Sequence, residues 1–560
     1  MHRNVHLSYR PDIDGLRGLC ILSVVIYHAF PKVLPGGFVG VDVFFVISGY
    51  LISSIIIRSI RRDGFSLVEF YGNRVRRIFP ALVLVLTSSF LVGWMYLTPA
   101  EFKSLGAQIF SSAFFYQNIY LVRTSGYFDS SGETKPVLHL WSLGVEEQFY
   151  LIYPFMLWLF VKLRIPFIYG IVSVASLSFF NNLYYVDLMP EKAFYLPQSR
   201  FWELLMGGVV ACLPRLGGDV DRLPVSSNRG PVRVLFGFLV ARNLMLLGSL
   251  VSLIAIVAGF FVINSKMTFP GWVSVLPVMS SCFLILFGGG LSNRLLLLDN
   301  RFLISLGLIS YPLYLWHWPL LVFSRIIKND SLTSCEAGFV VFSAVVLSAV
   351  TYVILERPAR RAGNSKLLIY LLVLSLVLVG FAGYAAKRNR GFPERFPEIV
   401  SKLTDYSFGY TDLYRSGRCL IGKDQTYLDF DRECFASRGA GARRILLWGD
   451  SYAAHLYPGL MSVIGSGVKV DQLTSNACAP ILGTYNDRRP NCQSTNDFVY
   501  SLIVGGGYDV VIIAANWEGY PDFSGLGSTL AKVVDSGVAD IVLFGPPPHW
   551  TNTLPRELFN

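Results

Sequence analysis

The chain has 560 residues, 53% of them hydrophobic and only 15% charged, with a mean hydropathy of +0.49. That composition excludes an ordinary soluble protein, and the length excludes one compact domain, which leaves an integral membrane protein. The net charge of +11 argues little for nucleic acid as a partner, because the basic residues sit between apolar runs as the positive-inside rule expects.

From the N-terminus, the stretch PDIDGLRGLCILSVVIYHA carries Asp12, Asp14 and Arg17 ahead of its apolar run. It lacks a small-residue cleavage site, so it is expected to stay in the protein. Arg17 and His28 are eleven residues apart, which is three helical turns plus about 20°. They share one face, roughly 16 Å apart along the axis. Asp14 lies on the same side as Arg17. Ionisable residues within a span usually face a polar cavity, so the spacing predicts a charged entrance with a histidine deeper in one channel. Asp42, in the next apolar run, is an intramembrane charge that needs a partner the sequence does not name.

Eleven candidate spans are expected near residues 16–33, 38–60, 78–98, 147–165, 166–186, 201–214, 243–263, 270–290, 303–325, 337–356 and 367–386. The amphipathic, aromatic run 105–122 is expected on the membrane surface or re-entrant. Basic residues collect in alternate loops: Arg58–Arg77, Lys162 with Arg164, Arg215–Arg242, Arg294 with Arg301, and Arg357–Lys366. This bias and the odd count predict a cytoplasmic N-terminus and an extracytoplasmic C-terminus.

The cysteines follow that division. Cys20, Cys212 and Cys282 lie in apolar segments as small hydrophobes, and Cys335 lies in or near a loop. Cys419, Cys434, Cys478 and Cys492 fall in the polar C-terminal part, as disulfides in an oxidising compartment would. Three connectivities are open, and neighbour pairing (419–434, 478–492) is the expectation. No CxxC or histidine-rich spacing suggests a metal.

After Ala386 the composition becomes polar. From residue 443 RRILLWGDS, YDVVIIAANW and ADIVLFGPPP read as strand-then-loop units of an α/β domain with a parallel sheet. Ser451, in the GDS turn, is presented at the carboxyl edge of that sheet, where open α/β folds place their sites. Asn516 closes a later strand at the same edge. Gly-Asp-Ser is also common turn chemistry. The membrane residues have bland counterparts as well. Arg17, Arg74 and Arg77 read as interfacial cations, His28 as a buried hydrogen-bonded ring, and Glu146 with Gln148 as an ordinary helix start. His139 and His317 are expected to be structural, the latter within an aromatic belt of Tyr311, Tyr314, Trp316 and Trp318.

In their order, PDIDGLRGLCILSVVIYHA, GGFVGVDVFFVISGYLI, RVRRIFPAL, LHLWSLGVEEQFYLIYP and SYPLYLWHWP resemble the acyltransferase-3 family of membrane acyltransferases, over roughly residues 8 to 360. The resemblance puts the family's arginine–ten residues–histidine motif on Arg17 and His28. It implies that His28, with Arg17 and Asp14, activates or relays an acyl group, and that Arg17 binds an anionic donor. Arg74 and Arg77 would grip the phosphates of coenzyme A. Glu146 and Gln148, in the WSLxVExQFY motif, would take a cavity role, as Asp42 could. Gly18-Leu19-Cys20 departs slightly from the motif, with no functional consequence apparent.

The C-terminal segment resembles an SGNH hydrolase domain, which implies Ser451 as nucleophile and Asn516 as oxyanion-hole donor. No DxxH motif follows Ser451, and neither His455 nor His549 matches it. The chain stops at Asn560 after three convincing strands, so the expectation is that the motif lies beyond; a degenerate, inactive domain is the alternative. Ser475-Asn476-Ala477 stands where the oxyanion glycine would be sought.

The expected architecture is a polytopic α-helical membrane bundle of about 11 transmembrane helices, followed by an α/β SGNH-type domain. Residues 1–366 form the acyltransferase part, 367–386 a further span, 387–440 an extracytoplasmic linker and entry, and 441–560 the SGNH-like domain. The implied activity is metal-free O-acyl transfer in the bacterial inner membrane. Acetyl-coenzyme A would be the donor and a sugar hydroxyl of O-antigen, lipooligosaccharide or exopolysaccharide the acceptor. Membrane lipid is a partner, nucleic acid is not, and oligomeric state is left open. A transporter would show inverted repeats and broken helix pairs, and neither is clear. A glycan-binding or sensing protein with a non-catalytic C-terminal domain is the other rival.

Overall fold

The structure is a computed structural model that describes residues 9–61, 64–124, 134–213, 231–288, 298–363, 365–398, 410–422, 424–435, 443–465, 467–484, 489–520 and 522–545, with side chains of 61, 231–242 and 410 excepted. They form two compact units, divided between residues 398 and 410.

The first unit is helical. Its helices are α1 (Pro11–Ala29), α2 (Gly40–Arg61), α3 (Leu67–Tyr96), α4 (Pro99–Ala113), α5 (Gln117–Thr124), α6 (Trp141–Lys162), α7 (Phe167–Leu188), α8 (Pro190–Tyr195) and α9 (Pro197–Cys212). Then come α10 (Pro231–Val262), α11 (Val275–Phe287), α12 (Arg301–Leu308) and α13 (Ser310–Lys328). A helix running from Ser334 to Arg361 through a π turn, α14, and α15 (Lys366–Arg388) complete it. Local chemistry sets several starts. Pro11 occupies the first turn of α1, where its missing N–H costs nothing. Thr98 with Glu101 and Thr333 with Glu336 form reciprocal capping boxes at α4 and α14.

By length and apolarity, six of the described helices can cross a membrane, and a seventh if α12 and α13, bent by 69°, count as one span. The eleven expected spans are therefore not all of this kind. The expected spans outside this group are α1 with Asp12, Asp14 and Arg17, α6 with Glu146 and Glu147, the 16-residue α9 with Arg200 and Glu203, and the 13-residue α11, which is apolar but short. Arg200 and Glu203 are buried within the bundle, where a polar group can be answered, whereas the later turns of α6 expose Leu151, Phe155 and Trp158. α2 is the most enclosed of the six and α14 and α15 the least. The outward faces of α14 and α15 expose Phe339, Phe342, Val346, Leu371, Leu374 and Phe381, apolar side chains of the kind lipid covers. The run 105–122, expected on the membrane surface or re-entrant, begins in α4, which packs into the bundle. Phe102, Leu105 and Ile109 of α4 are fully buried, and the backbone of Gly106 lies against Gly383 of α15.

α1 and α12 approach backbone to backbone. A β-carbon at Gly18 would sit 2.1 Å from the Leu303 carbonyl oxygen, and one at Gly307 1.9 Å from that of Asp14. Only glycine permits this contact, and it sets Arg17 against the start of α13.

The second unit is a five-stranded parallel sheet in the order β1 (Leu420–Ile421), β3 (Val468–Ser475), β2 (Arg443–Gly449), β4 (Val510–Ala514), β5 (Asp540–Phe544). The stretch read as linker and entry supplies its edge strand β1. Strand β3, VKVDQLTS, is missing from the sequence expectation because polar Asp471, Gln472 and Thr474 break its apolar run, although all three are buried. The chain turns one way from β2 to β3 and the other way to β4, so the switch point of the sheet lies beside β2. The disulfides are Cys419–Cys434 and Cys478–Cys492, as neighbour pairing expects.

Candidate functional site

Two sites emerge, one in each unit. In the helical unit, Arg17 projects from α1, donates from Nη1 to Asp14 Oδ1 (3.1 Å) and from Nη2 to Ser310 Oγ (2.8 Å) at the break before α13. Its guanidinium lines a cavity of about 270 Å³ together with Arg74 and Arg77 of α3, Ser48 of α2, Glu146 of α6 and Tyr311 of α13. Glu146 is held by Ser48 Oγ and Tyr150 OH, each donating at 3.1 Å. Arg74 stacks 4.6 Å above Phe70. Phe44, Phe45, Ile47, Leu51, Ile52 and Ile55 of α2 form an apolar wall. Three guanidiniums against one carboxylate make the polar end suited to an anion with several oxygens, and the apolar wall suits a non-polar arm beside it.

His28 lies at the far end of α1 and does not line this cavity. Its Nδ1 is 3.0 Å from Nε2 of His317, and Trp318 meets the ring edge-on at 4.6 Å. The cavity reaches toward this pair through Ser142 and Tyr314. The Tyr314 ring lies 5.6 Å from His317 and 5.2 Å from His139. The single channel expected from spacing is thus a charged chamber and a histidine cluster separated by a layer containing Tyr314. His317 and His139, expected to be structural, are the groups packed around His28.

Other expected site residues sit elsewhere. Gln148 is in the second turn of α6 rather than at its start, and it is taken up by α5. Its Nε2 donates to the Phe115 carbonyl (2.7 Å) and Asn118 Oδ1 (2.9 Å), while its Oε1 accepts from Asn118 (3.2 Å). Asp42 is fully buried outside the cavity and accepts from Arg200 Nη2 at 2.8 Å. Arg200 also pairs with Glu203 at 3.0 Å, and its guanidinium is ringed by Phe45, Trp141, Phe194 and Phe269 at 5.5 to 5.7 Å. Arg200 is the partner the sequence left unnamed. The signal for it was present: an arginine and a glutamate three apart within an otherwise apolar helix are expensive unless a third charge answers them.

In the second unit, Gly449 ends β2 paired with Thr474 of β3 and Ala514 of β4. Ser451 therefore follows the central strand by two residues, and Asn516 follows β4 by two. Asp450 organises the turn. Its Oδ1 accepts from the Tyr452 N–H (2.8 Å) and caps helix α16 (Ser451–Ala454); its Oδ2 accepts from the Asn516 N–H (3.0 Å) and Tyr520 OH (2.8 Å). Burial raises the Asp450 carboxyl above its ordinary range, although these three donors pull it down. The Oδ1 atoms of Asn516 and Asn476 are buried with no hydrogen-bond partner among the described residues. Asn476 follows β3 by one residue, so an asparagine stands on either side of the serine. Ala477, next in that loop, has φ of +54°. His455 is exposed beside Tyr452, and His549 lies outside the described residues. A β-carbon at Gly449 would fall 1.8 Å from the Ala514 carbonyl oxygen. Gly449→Ala is expected to part β2 from β4 and destabilise this unit by on the order of 2 kcal/mol or more. Thermal unfolding of the purified chain checks this, and an unchanged midpoint would contradict the close approach.

A polar-lined chamber inside a helical bundle is joined in sequence to a parallel sheet that presents a serine at its switch point. Residues 10–354 match the acyltransferase domain family, and residues 418–560 match the SGNH domain that occurs fused to such domains. The chain belongs to the acyltransferase-3 family and carries a C-terminal SGNH domain. It is 32% identical over 380 residues to the protein named "Putative peptidoglycan O-acetyltransferase YrhL" of Bacillus subtilis, covering 65% of this chain and 56% of that one. It is 30% identical over 367 residues to O-acetyltransferase OatA of Staphylococcus aureus, covering 63% and 58%. The chain thus spans under three fifths of the length of these relatives. No solved structure matches it.

Proposed function

We propose that the chain is a multi-pass O-acyltransferase of the bacterial inner membrane. It moves an acetyl group from acetyl-coenzyme A to a sugar hydroxyl of a cell-surface glycan, peptidoglycan or another surface polysaccharide. The observation that carries this reading is the cavity in which Arg17, Arg74 and Arg77 converge at one end of the helix that holds His28 at the other. The guanidiniums bind the donor's phosphates from the cytoplasmic side, the apolar wall takes its pantetheine arm, and Asp14 with Ser310 holds Arg17 in place. His28 receives the acyl group or takes the proton from the attacking hydroxyl. Ser451 then carries the group as an ester on the extracytoplasmic side, with the Asn516 side-chain amide donating to the oxyanion.

The test is mass spectrometry of surface polysaccharide from cells with and without the gene, and from cells carrying His28→Ala or Arg17→Ala. The acetyl increment is expected to vanish without the gene and in both variants. Wild-type acetylation in either variant, at equal membrane levels, would sink the membrane mechanism.

A further inference from the structure

We propose that His317 is the positioning residue for His28. It fixes the His28 proton on Nδ1 and leaves the Nε2 lone pair as the reactive atom. The inference rests on the reading in which His28 handles the acyl group or its proton.

The assignment follows from one carbonyl. His317 Nδ1 lies 3.0 Å from the Leu313 carbonyl oxygen, one turn earlier on α13. A carbonyl only accepts, so Nδ1 of His317 carries the proton, and in the neutral ring Nε2 carries the lone pair. That Nε2 faces Nδ1 of His28 at 3.0 Å. Two lone pairs at this distance would repel, so Nδ1 of His28 is the donor. Neutral His28 is then left with its lone pair on Nε2, the opposite of the tautomer that histidine prefers in water. His317 is fully buried, so water does not compete for its Nε2.

The neighbours hold this alignment. The two imidazoles lie 17° from parallel. Trp318, edge-on to His28, is itself anchored by its indole N–H on the Lys135 carbonyl at 2.8 Å. Arg325 Nη2 donates to the His28 carbonyl at 2.9 Å, which fixes the last turn of α1. The His28 ring is only half-buried, and Nε2 has no hydrogen-bond partner among the described residues. When Nε2 takes a proton, Nδ1–H becomes a charge-assisted donor to His317, which strengthens the bond at the moment it is needed. His317 thus fills the place that a carboxylate often takes behind a reactive histidine, without adding a buried negative charge to an apolar layer.

The test uses the full chain in membrane vesicles, measuring acetyl transfer from labelled acetyl-coenzyme A per molecule of enzyme. His317→Leu removes the acceptor and is expected to lower kcat by about 100-fold or more with KM for the donor unchanged. His317→Gln, whose side-chain oxygen accepts from Nδ1–H, is expected to stay within about tenfold of wild type. Wild-type kcat in His317→Leu, or a Gln variant as slow per molecule as the Leu variant, overturns the proposal. His28→Ala separates the two levels. Transfer by that variant removes the underlying reading. An inactive His28→Ala beside a fully active His317→Leu removes only the role of His317.

Discussion

Replacing Arg200 by leucine is expected to destabilise the helical unit by roughly 3–5 kcal/mol, the usual consequence of breaking a buried ion pair from one side. Arg200, Asp42 and Glu203 are each at most 1% exposed, so neither carboxylate can turn to solvent when the guanidinium is removed. Asp42 Oδ2 and both Glu203 oxygens already lack a hydrogen bond among the described residues, which leaves Arg200 as the charge that offsets both. Leucine would also vacate the space enclosed by Phe45, Trp141, Phe194 and Phe269. The measurement is thermal unfolding in detergent together with membrane yield. The triple variant Arg200→Leu, Asp42→Asn, Glu203→Gln should regain much of the loss, because it removes the stranded charges with the cation. A wild-type midpoint for Arg200→Leu alone would show that the carboxylates are neutral in the native protein.

Ser451→Ala is expected to lower acetylation of the glycan by at least about 10³-fold, because Ser451 is the hydroxyl that the turn after the central strand presents at the carboxyl edge of the sheet. The substitution separates chemistry from structure. The helix after β2 is capped by Asp450 and not by Ser451, and the hydrogen bonds that link β2 to Asn516 and Tyr520 also belong to Asp450. The Asp450 hydrogen bonds therefore stay in place in this variant. Asp450→Ala is the contrasting variant: it removes three hydrogen bonds at once and should loosen the unit visibly. Full glycan acetylation by Ser451→Ala would place delivery in the helical unit and leave the second unit as a binding module.

Much of this was legible from residues alone. The parallel α/β class of the second unit and the strands that present Ser451 and Asn516 followed from hydropathy and position, and neighbour pairing of the cysteines, one of three open connectivities, is the one found; the unit's edge strand β1 fell in the stretch read as linker. So did a helix placing Arg17 and His28 far apart on one side. What the sequence could not supply was every relation between helices. Nothing in the spacing of His317 pointed to His28, because they lie 289 positions apart and meet only when α13 packs against α1. Asp42 was recognised as needing a partner, yet Arg200 lies 158 positions away. Gln148 shows the reverse. Motif position suggested a cavity role, whereas its amide is spent on Asn118. Of the eleven expected spans, six or seven described helices are long and apolar enough to cross a membrane by composition, and the cavity draws on both kinds, α2 and α3 from that group and α1 and α6 from outside it.

The two disulfides brace the edge of the sheet that presents the serine. Cys478–Cys492 closes the loop after β3 that carries Ala477, and Cys419–Cys434 ties the edge strand that pairs with β3. With separations of 14 and 15 residues, each is worth about 3 kcal/mol by loop closure. Together they approach the entire folding stability of a domain of this size. Reducing both bonds would remove that contribution, so the edge that holds Ser451 between two asparagines is expected to be the part of this unit that a thiol reductant loosens first.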